Sequence, residues 1–252
     1  MLDIVDHPSV RELRLARPPV NALDPALVGR LREAIEAAPA SGARGLLLSG
    51  APGMFSAGLD VPALLALDRA AMHAFWTEFF ALCAAIARSP IPSVAALTGH
   101  SPAGGAVLAM FCDYRVMARG PYRIGLNEVQ VGLSVPDCIQ VGLRRLVGTY
   151  RAERLMVSGT MLEAEQAQAI GFVDELVDVD HVVPRALVWL GELLQLPPRA
   201  MAETRRLARA DLVAAFADLA TFPVEAFVDG WFSDESQGTL QALVARLRSK
   251  SR

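Results

Sequence analysis

Residues 93–111 read SVAALTGHSPAGGAVLAMF, and they place a tight turn, GHSPAGG (Gly99–Gly105), between two apolar runs. Apolar runs on both sides of a glycine-rich turn predict a strand followed by a helix. A serine inside such a turn resembles the nucleophile elbow of a serine hydrolase. That motif uses the backbone N–H of the residue after the serine, and here Ser101 is followed by Pro102, which has no N–H. The residues therefore oppose a serine hydrolase.

The two glycines of this turn, Gly104 and Gly105, allow two interpretations. Without side chains they let a ligand approach the chain closely, and at the start of a helix their free N–H groups suit an anion or a developing oxyanion. Alternatively, the small residues let a strand and a helix cross at short distance. The turn alone leaves both interpretations open.

Composition limits the class of protein. The chain has 252 residues, of which 53% are hydrophobic and 20% charged, so it has ample material for a core. Its net charge of −3 provides no basic surface, which argues against nucleic acid as a partner. The three cysteines and four histidines are scattered, so neither a disulfide framework nor a metal site is expected. No signal peptide or membrane-spanning run is apparent, and we expect a cytoplasmic protein.

Strand and helix patterns alternate along residues 1–180, which predicts an α/β core. From about His181 the pattern is nearly all helical, so residues 181–252 are predicted to form a helical C-terminal region. Asp24 is a typical N-cap, with Pro25 in the first turn of the next helix. The predicted strands are 10–15, 45–48, 93–98, 114–118, 122–125 and 172–177; the predicted helices are 25–38, 62–67, 69–87, 104–111, 163–170 and two that begin near 137 and 151.

A second loop, GAPGMFSAGLDVPALL (Gly50–Leu65), also follows an apolar strand and leads into a helix. Asp60 is placed to cap that helix beside Pro62. Two strand–turn–helix junctions, Ala57–Leu59 and Ala103–Gly105, therefore offer exposed backbone N–H groups. Two converging N–H donors are what a developing enolate or tetrahedral oxyanion requires.

Five motifs cover nearly the whole chain and together carry a resemblance. They are PPVNALD (Pro18–Asp24), GMFSAGLD (Gly53–Asp60), SPAGGAVLAMFCDYRVMA (Ser101–Ala118), YRIGLNEVQVGL (Tyr122–Leu133) and AIGFVDELV (Ala169–Val177). In this combination the chain resembles the crotonase superfamily, also called the enoyl-CoA hydratase/isomerase family. Within it, the chain is most similar to the Δ3,Δ2-enoyl-CoA isomerases of mitochondrial type.

The resemblance implies a fold and a substrate class. The fold is a spiral of β-β-α repeats, expected over residues 1–180, with a helical C-terminal region over 181–252 that builds trimers. The implied substrate is an acyl-CoA thioester, with CoA as part of the substrate and no separate cofactor or metal. The implied assembly is a homotrimer or a dimer of trimers.

The resemblance also implies a site. The backbone N–H groups of Leu59 and Gly104 would hold the thioester oxygen, which makes the turn important for its backbone and leaves Ser101 structural. The residues implied to bind substrate are Ala22, Leu23, Ala57, Gly58, Asp60 and Asn127.

The implied chemistry depends on carboxylates. Hydratases of the family use two glutamates to hold and split a water, and the positions that match them here are Val107 and Glu128. A valine cannot hold a water or move a proton. One carboxylate suffices for a double-bond shift, since the same base can remove a proton from C2 and return it at C4. Glu128 is therefore the expected acid/base of an isomerase, with its pKa raised by an apolar acyl pocket. The alternatives are a hydratase, a dienoyl-CoA isomerase and a noncatalytic acyl-CoA-binding relative.

Three features remain open at this stage. Asp137 either caps the helix that follows it or faces the acyl pocket, where dienoyl-CoA isomerases carry an aspartate nearby. The aromatic residues near the C-terminus either pack in the core or partly touch substrate; they are Phe222, Phe227, Trp231 and Phe232. Arginines of one predicted helix either form a solvated face or contact CoA phosphates; they are Arg205, Arg206 and Arg209.

Overall fold

The strand–turn–helix units predicted from the sequence recur along the chain and build two sheets. The structure, a computed structural model, describes residues 1–217 and 222–250. The predicted helical region 181–252 therefore includes two segments, 218–221 and 251–252, that lie outside the described residues.

Within those described residues the strands are short. In chain order they are β1 (Leu2–His7), β2 (Val10–Leu15), β3 (Gly45–Ser49), β4 (Gly53–Met54), β5 (Ser93–Leu97), β6 (Gly99–Pro102), β7 (Tyr114–Ala118), β8 (Arg123–Gly125), β9 (Leu162–Glu163) and β10 (Glu175–Val177). One sheet has six strands in the order β1-β2-β3-β5-β7-β10, and the other has four in the order β4-β6-β8-β9.

The strand order shows a repeating unit. β3, β5 and β7 lie in the six-stranded sheet, and the strand that follows each of them lies in the four-stranded sheet. Helical segments then lead back to the next pair of strands. From β2 to β10 the larger sheet is parallel. Parallel strands are covered on both faces, which is why β3 and β5 are buried along their whole length and read as continuous apolar runs.

The helices connect the strands and form the C-terminal region. Those described are α1 (Pro25–Ala37), α2 (Val61–Leu64), α3 (Arg69–Arg88), α4 (Gly104–Met110), α5 (Asp137–Val147), α6 (Thr149–Ser158), α7 (Ala164–Ala169), α8 (Val182–Leu193), α9 (Pro198–Ala208), α10 (Ala210–Ala214), α11 (Val224–Trp231) and α12 (Asp234–Lys250). Leu190 of α8 packs with Val94 and Val116 on one face of the large sheet. The main core lies on the other face and includes α3 and α4.

Two predicted helix starts are confirmed by their hydrogen bonds. Asp24 Oδ1 accepts from the Leu27 N–H at 2.8 Å, and Asp60 Oδ1 accepts from the Ala63 N–H at 3.0 Å. Both are N-cap geometries that satisfy a donor left free at the start of a helix.

Several features differ from the sequence-based expectation. The short strands β4, β6 and β9 were not predicted; β4 and β6 lie in segments expected to be a loop and a turn, and two to four residues are too few for a clear apolar pattern. The first strand, β1, was not predicted; it is an edge strand that pairs antiparallel with β2 and leaves residues such as Ile4 exposed, so it lacks a clear apolar pattern. Asp137 is not a cap. Pro136 is the N-cap of α5, and the Asp137 side chain is 80% exposed and pairs with Arg144 at 3.2 Å.

The longest helix of the described residues is α3, with 20 residues. Among the described residues, it is the one helix that is long and apolar enough to cross a membrane, judged by length and composition only. The sequence predicted no such span. However, 56% of its apolar window is buried inside the protein. Met72, Phe75 and Phe79 are buried in the main core, which is typical of the core helix of a soluble fold.

Candidate active site

The two predicted donor turns meet at the start of α4. A Cβ built on Gly58 would lie 3.0 Å from the backbone nitrogen of Gly104. Ala103, just before α4, has φ 44° and ψ −118°, a conformation that L-residues rarely adopt. Its N–H donates to the Gly125 carbonyl at 2.8 Å, which anchors the turn on β8. The strained residue of the turn is therefore Ala103, two positions after the serine that the sequence singled out.

The Leu59 amide is oriented by a short bridge to the segment before α1. The Leu23 N–H donates to the Gly58 carbonyl at 2.8 Å, and the Asp60 N–H donates to the Leu23 carbonyl at 3.0 Å. Because this parallel bridge uses the groups on either side of Leu59, the N–H of Leu59 itself faces away from Leu23. Across residues 1–217 and 222–250, neither the Leu59 N–H nor the Gly104 N–H donates a hydrogen bond. Both remain available to a ligand.

The missing side chains of Gly104 and Gly105 serve packing. A Cβ on Gly104 would lie 3.0 Å from Leu23 Cδ1 and 3.2 Å from the Cα of Gly58, and one on Gly105 would lie 2.6 Å from the Ser56 carbonyl oxygen. Of the two interpretations that the sequence left open for these glycines, this geometry favours close packing, since their side-chain positions face protein. Close crossing explains the glycines, while the free N–H of Gly104 is a separate feature of the same turn.

A cavity of about 630 Å³ adjoins these two amides. It brings together most of the residues that the sequence proposed: Ala22, Ala57, Leu59, Asp60, Gly104, Asn127 and Glu128. The other two, Leu23 and Gly58, do not line it. Both are buried behind the lining, where they hold the Leu59 segment and the start of α4 in contact.

Glu128 presents a carboxylate to this cavity from a 3-10 turn, Glu128–Val131. The side chain is half-buried, and its Oε2 has no solvent contact and no hydrogen-bond partner among the described residues. Burial in apolar surroundings raises the pKa of Glu128 from an ordinary 4.5 to about 7. The neighbouring Asn127 also has a buried, unpartnered oxygen, Oδ1, and lines the same cavity. A carboxyl with a pKa near neutrality can both accept and return a proton.

The other carboxylate of the lining is already engaged. Asp60 caps α2 with one oxygen and pairs with Arg17 through the other at 2.6 Å. Val107, the position where a hydratase of the family would carry a second glutamate, is buried and lines the cavity. Glu128 is therefore the lining carboxylate that is free to act on a ligand.

Much of the remaining lining was not predicted as part of a site. Trp76 and Phe79 come from α3, Phe227 from α11 and Leu243 from α12. They make the cavity mainly apolar, as an acyl group requires. A helical pattern of aromatic residues fits core packing equally well, so the sequence carried no signal that separated Trp76 and Phe79 from the core. Phe227 belongs to the aromatic group that the sequence left open; Trp231 is fully buried and does not line the cavity.

Several candidates lie away from the cavity. Ser101 is completely buried, does not line it, and its hydroxyl has no partner in the described chain. Asp137 points into solvent. Arg205 and Arg209 bind the half-buried carboxylate of Asp113 at 2.8 and 2.9 Å, so they hold the C-terminal helices on the core.

No group of three or more histidine, cysteine or acidic side chains that could hold a metal occurs in the described ranges.

Comparisons with known proteins show which chains and folds this protein resembles. Human mitochondrial enoyl-CoA delta isomerase 1 is 30% identical over 244 residues, which cover 96% of this chain and 81% of that protein. The probable enoyl-CoA hydratase EchA17 of Mycobacterium tuberculosis (strain H37Rv) is 33% identical over 214 residues, 81% of this chain and 80% of that protein. The crystal structure of human mitochondrial delta3-delta2-enoyl-CoA isomerase superposes with a TM-score of 0.94 at 28% identity and covers 100% of this chain and 99% of that chain.

The predicted α/β spiral of β-β-α repeats with a helical C-terminal region is confirmed by the strand order and by this superposition. Residues 6–249 match the family described as enoyl-CoA hydratase/isomerase. The chain therefore belongs to the enoyl-CoA hydratase/isomerase family.

Proposed function

We propose that the protein is a Δ3,Δ2-enoyl-CoA isomerase of fatty-acid β-oxidation. Glu128 accepts a proton from C2 of a 3-enoyl thioester, and the electron pair moves through the new C2–carbonyl-carbon double bond onto the thioester oxygen. The backbone N–H groups of Leu59 and Gly104 stabilise the negative charge of this dienolate. Glu128 then returns the proton at C4, the carbonyl re-forms, and the double bond lies between C2 and C3. The proton removed is the proton returned, so the reaction needs no separate cofactor.

The observation that carries this proposal is that, among the described residues lining the cavity, one carboxylate is unengaged and lies in the same lining as two free N–H donors. Glu128 has a raised pKa and an unpartnered oxygen, whereas Asp60 is held by Arg17 and by the start of α2. A base with a pKa near neutrality is suited to remove a weakly acidic proton and give it back. The isomerase names among the relatives support the same reaction.

A hydratase is the second candidate, because relatives of similar identity are probable enoyl-CoA hydratases. Val107 is evidence against a hydratase. Hydratases of the family hold and split a water with two glutamates, and the apolar side chain of Val107 stands where one of them would lie. A dienoyl-CoA isomerase is less well supported, because Asp137 is exposed on α5. A noncatalytic acyl-CoA-binding protein would use the same cavity without needing Glu128.

We also propose that the protein is cytoplasmic and assembles as a homotrimer or a dimer of trimers. The resemblance supports this assembly, and light scattering coupled to size-exclusion chromatography would measure the mass in solution. A monomeric mass would contradict it.

The deciding experiment compares wild type with Glu128→Gln. With 3-hexenoyl-CoA, the wild type is expected to form the conjugated 2-enoyl thioester, which is followed by its ultraviolet absorbance. Glu128→Gln keeps size and polarity but cannot accept the C2 proton, so it should bind CoA thioesters and not turn them over. Near wild-type turnover by this variant would contradict the mechanism. Hydration of 2-hexenoyl-CoA without isomerisation would establish a hydratase, and binding without either reaction would establish a noncatalytic protein.

A further inference from the structure

Arg17 lines the cavity and makes contacts to three groups on two segments of the chain. Its Nη2 pairs with Asp60 Oδ2 at 2.6 Å and its Nε with Asp24 Oδ2 at 3.0 Å. Its Nη1 donates to the Ala22 carbonyl at 3.2 Å. One guanidinium therefore ties the segment before α1 to the segment that carries Leu59.

In each of the two aspartates, one carboxylate oxygen caps a helix and the other pairs with Arg17. Asp24 gives Oδ1 to the start of α1 and Oδ2 to Arg17, and Asp60 gives Oδ1 to the start of α2 and Oδ2 to Arg17. Asp60 directly follows Leu59, and its N–H is bonded to the Leu23 carbonyl. The position of the Leu59 amide is thus fixed by a backbone bridge and by the ion pair of its neighbour.

We propose that Arg17 is a positioning residue that holds the Leu59 N–H in the direction of the thioester oxygen, acting through Asp60 and Ala22. The proposal rests on the proposed function, in which Leu59 is one of the two oxyanion donors. Its physical basis is that a donor must keep its direction during the reaction, and a displacement of about 1 Å can cost on the order of a hundredfold in rate.

The chemistry of the contacts calls for arginine. Donors in three directions reach Asp24, Ala22 and Asp60 at once, and a planar guanidinium holds them in a fixed arrangement. A lysine would keep the charge but concentrate its donors at one point. Arg17→Lys should therefore be intermediate between wild type and a neutral variant.

The chain offers a matched control in Arg32. It is 26% exposed, against 25% for Arg17, and it also pairs with two carboxylates, Glu36 at 2.7 Å and Glu78 at 2.5 Å. Its pair with Glu78 joins α1 to α3, its pair with Glu36 lies within α1, and neither touches the Leu59 segment. Arg32→Met removes a comparable ion-pair network and leaves the site in place.

The experiment measures kcat, KM and the infrared carbonyl band of bound 2-hexenoyl-CoA, the product of the proposed reaction. An oxyanion hole polarises the thioester carbonyl and lowers the frequency of this band relative to free ligand. We expect Arg17→Met to lower kcat by about tenfold to a hundredfold with little change in KM, and to return the band toward the free value. Arg17→Lys should show a smaller change in both, and Arg32→Met should match wild type.

Coupling to Asp60 gives a second test. Asp60→Asn keeps an oxygen that can cap α2 but weakens the pair with Arg17. If Arg17 acts through Asp60, the double variant should lose little more kcat than Arg17→Met alone. Full additivity of the two losses would contradict the proposed route.

The outcomes separate this proposal from the proposed function. If the wild type neither isomerises 3-hexenoyl-CoA nor shifts the carbonyl band of the bound ligand, the proposed function is contradicted before any variant is compared. A wild type that does both, together with an Arg17→Met variant that keeps its kcat and band, overturns the role of Arg17 alone. Equal losses in Arg17→Met and Arg32→Met would overturn it too. So would a failure of both Arg17 variants to fold while Arg32→Met folds, since Arg17 would then belong to the fold.

Discussion

Gly58 and Gly104 pack backbone against backbone, and a Cβ on Gly104 would lie 3.2 Å from the Cα of Gly58. This contact joins the two turns whose N–H groups form the proposed oxyanion hole. It makes the geometry of both donors depend on the absence of a side chain at two positions. A substitution at either glycine therefore acts on the site through packing as well as through chemistry.

Gly104→Ala and Gly104→Pro should separate these two effects. Both add a Cβ that presses on Leu23 and Gly58, whereas proline also removes the N–H donor. We expect alanine to lower turnover of 3-hexenoyl-CoA, and proline to lower it by about a further hundredfold, the typical cost of one oxyanion donor. Steady-state kinetics and thermal melting on the same preparations provide the comparison.

Gly29→Ala is the control for adding a methyl group. It lies in α1, and its nearest neighbour would be Glu78 Oε1 at an ordinary 3.7 Å. It should leave turnover unchanged and not lower stability, because alanine favours a helix over glycine. Equal turnover for Gly104→Ala and Gly104→Pro would show that the Gly104 N–H does not serve the reaction.

The acidity of Glu128 predicts the pH dependence of activity. Because burial raises its pKa to about 7, the carboxyl is protonated below neutrality and cannot accept a proton from substrate. We expect kcat/KM to fall as the pH decreases through about 7, and a pH–rate profile checks this. An acid limb near the ordinary carboxyl value of about 4.5 would contradict the assignment of Glu128 as the base.

The same group predicts a pH dependence of stability. Its pKa is higher in the folded state than in the unfolded state, so the folded state keeps a proton that the unfolded state loses. The stabilising contribution is complete below the unfolded pKa and is lost as the pH rises through about 7. Chemical denaturation at about pH 5 and about pH 8 should therefore show a larger loss of unfolding free energy for wild type than for Glu128→Gln. Identical losses would place the Glu128 carboxyl in a solvated environment.

Ser101→Ala should preserve activity. The hydroxyl is fully buried, outside the cavity lining, and without a hydrogen-bond partner among the residues described. Removing an unpartnered buried hydroxyl relieves a desolvation cost, so stability should stay level or rise. Turnover and melting temperature test this together. A loss of about a thousandfold in rate, the scale of losing a principal catalytic group, would reopen a nucleophilic role for Ser101.

Replacing Asp113 should lower the stability of the protein strongly, although Asp113 does not line the cavity. Although burial favours its neutral form, Arg209 and Arg205 keep the pKa of Asp113 below its ordinary value. Asp113→Ala would leave two arginines, 12% and 8% exposed, without their carboxylate, at a cost of about 3–5 kcal/mol in unfolding free energy.

Glu203→Ala is the matched surface variant. Glu203 pairs with Arg206 at 2.6 Å, but both side chains are more than half exposed. Such exposed pairs contribute little to the free energy of unfolding, because solvent screens them. Urea denaturation of both variants compares them; similar small losses would show that Arg205 and Arg209 do not need Asp113 to hold α9 on the core.

The sequence by itself determined the local elements of this fold. Asp24 with Pro25 specified the start of α1, because a capping carboxylate and a proline act within one turn. The apolar runs of β3 and β5 predicted two strands of an α/β core. The motifs around Glu128 and Val107 predicted a single-carboxylate site through their resemblance to a family. These signals are readable because each lies within a few adjacent residues.

Only the tertiary structure decided how distant residues share one site. β1 was missed because an exposed edge strand has a weak apolar pattern, and Trp76 was missed because a cavity wall and a core present the same residues. Gly58 and Leu23, which come from other loops, occupy the space that a side chain at position 104 would need. The raised pKa of Glu128 and the pairing of Arg17 with Asp60 likewise arise from desolvation and contacts between segments far apart in the chain. Those quantities are set by three-dimensional proximity, which no single stretch of sequence contains.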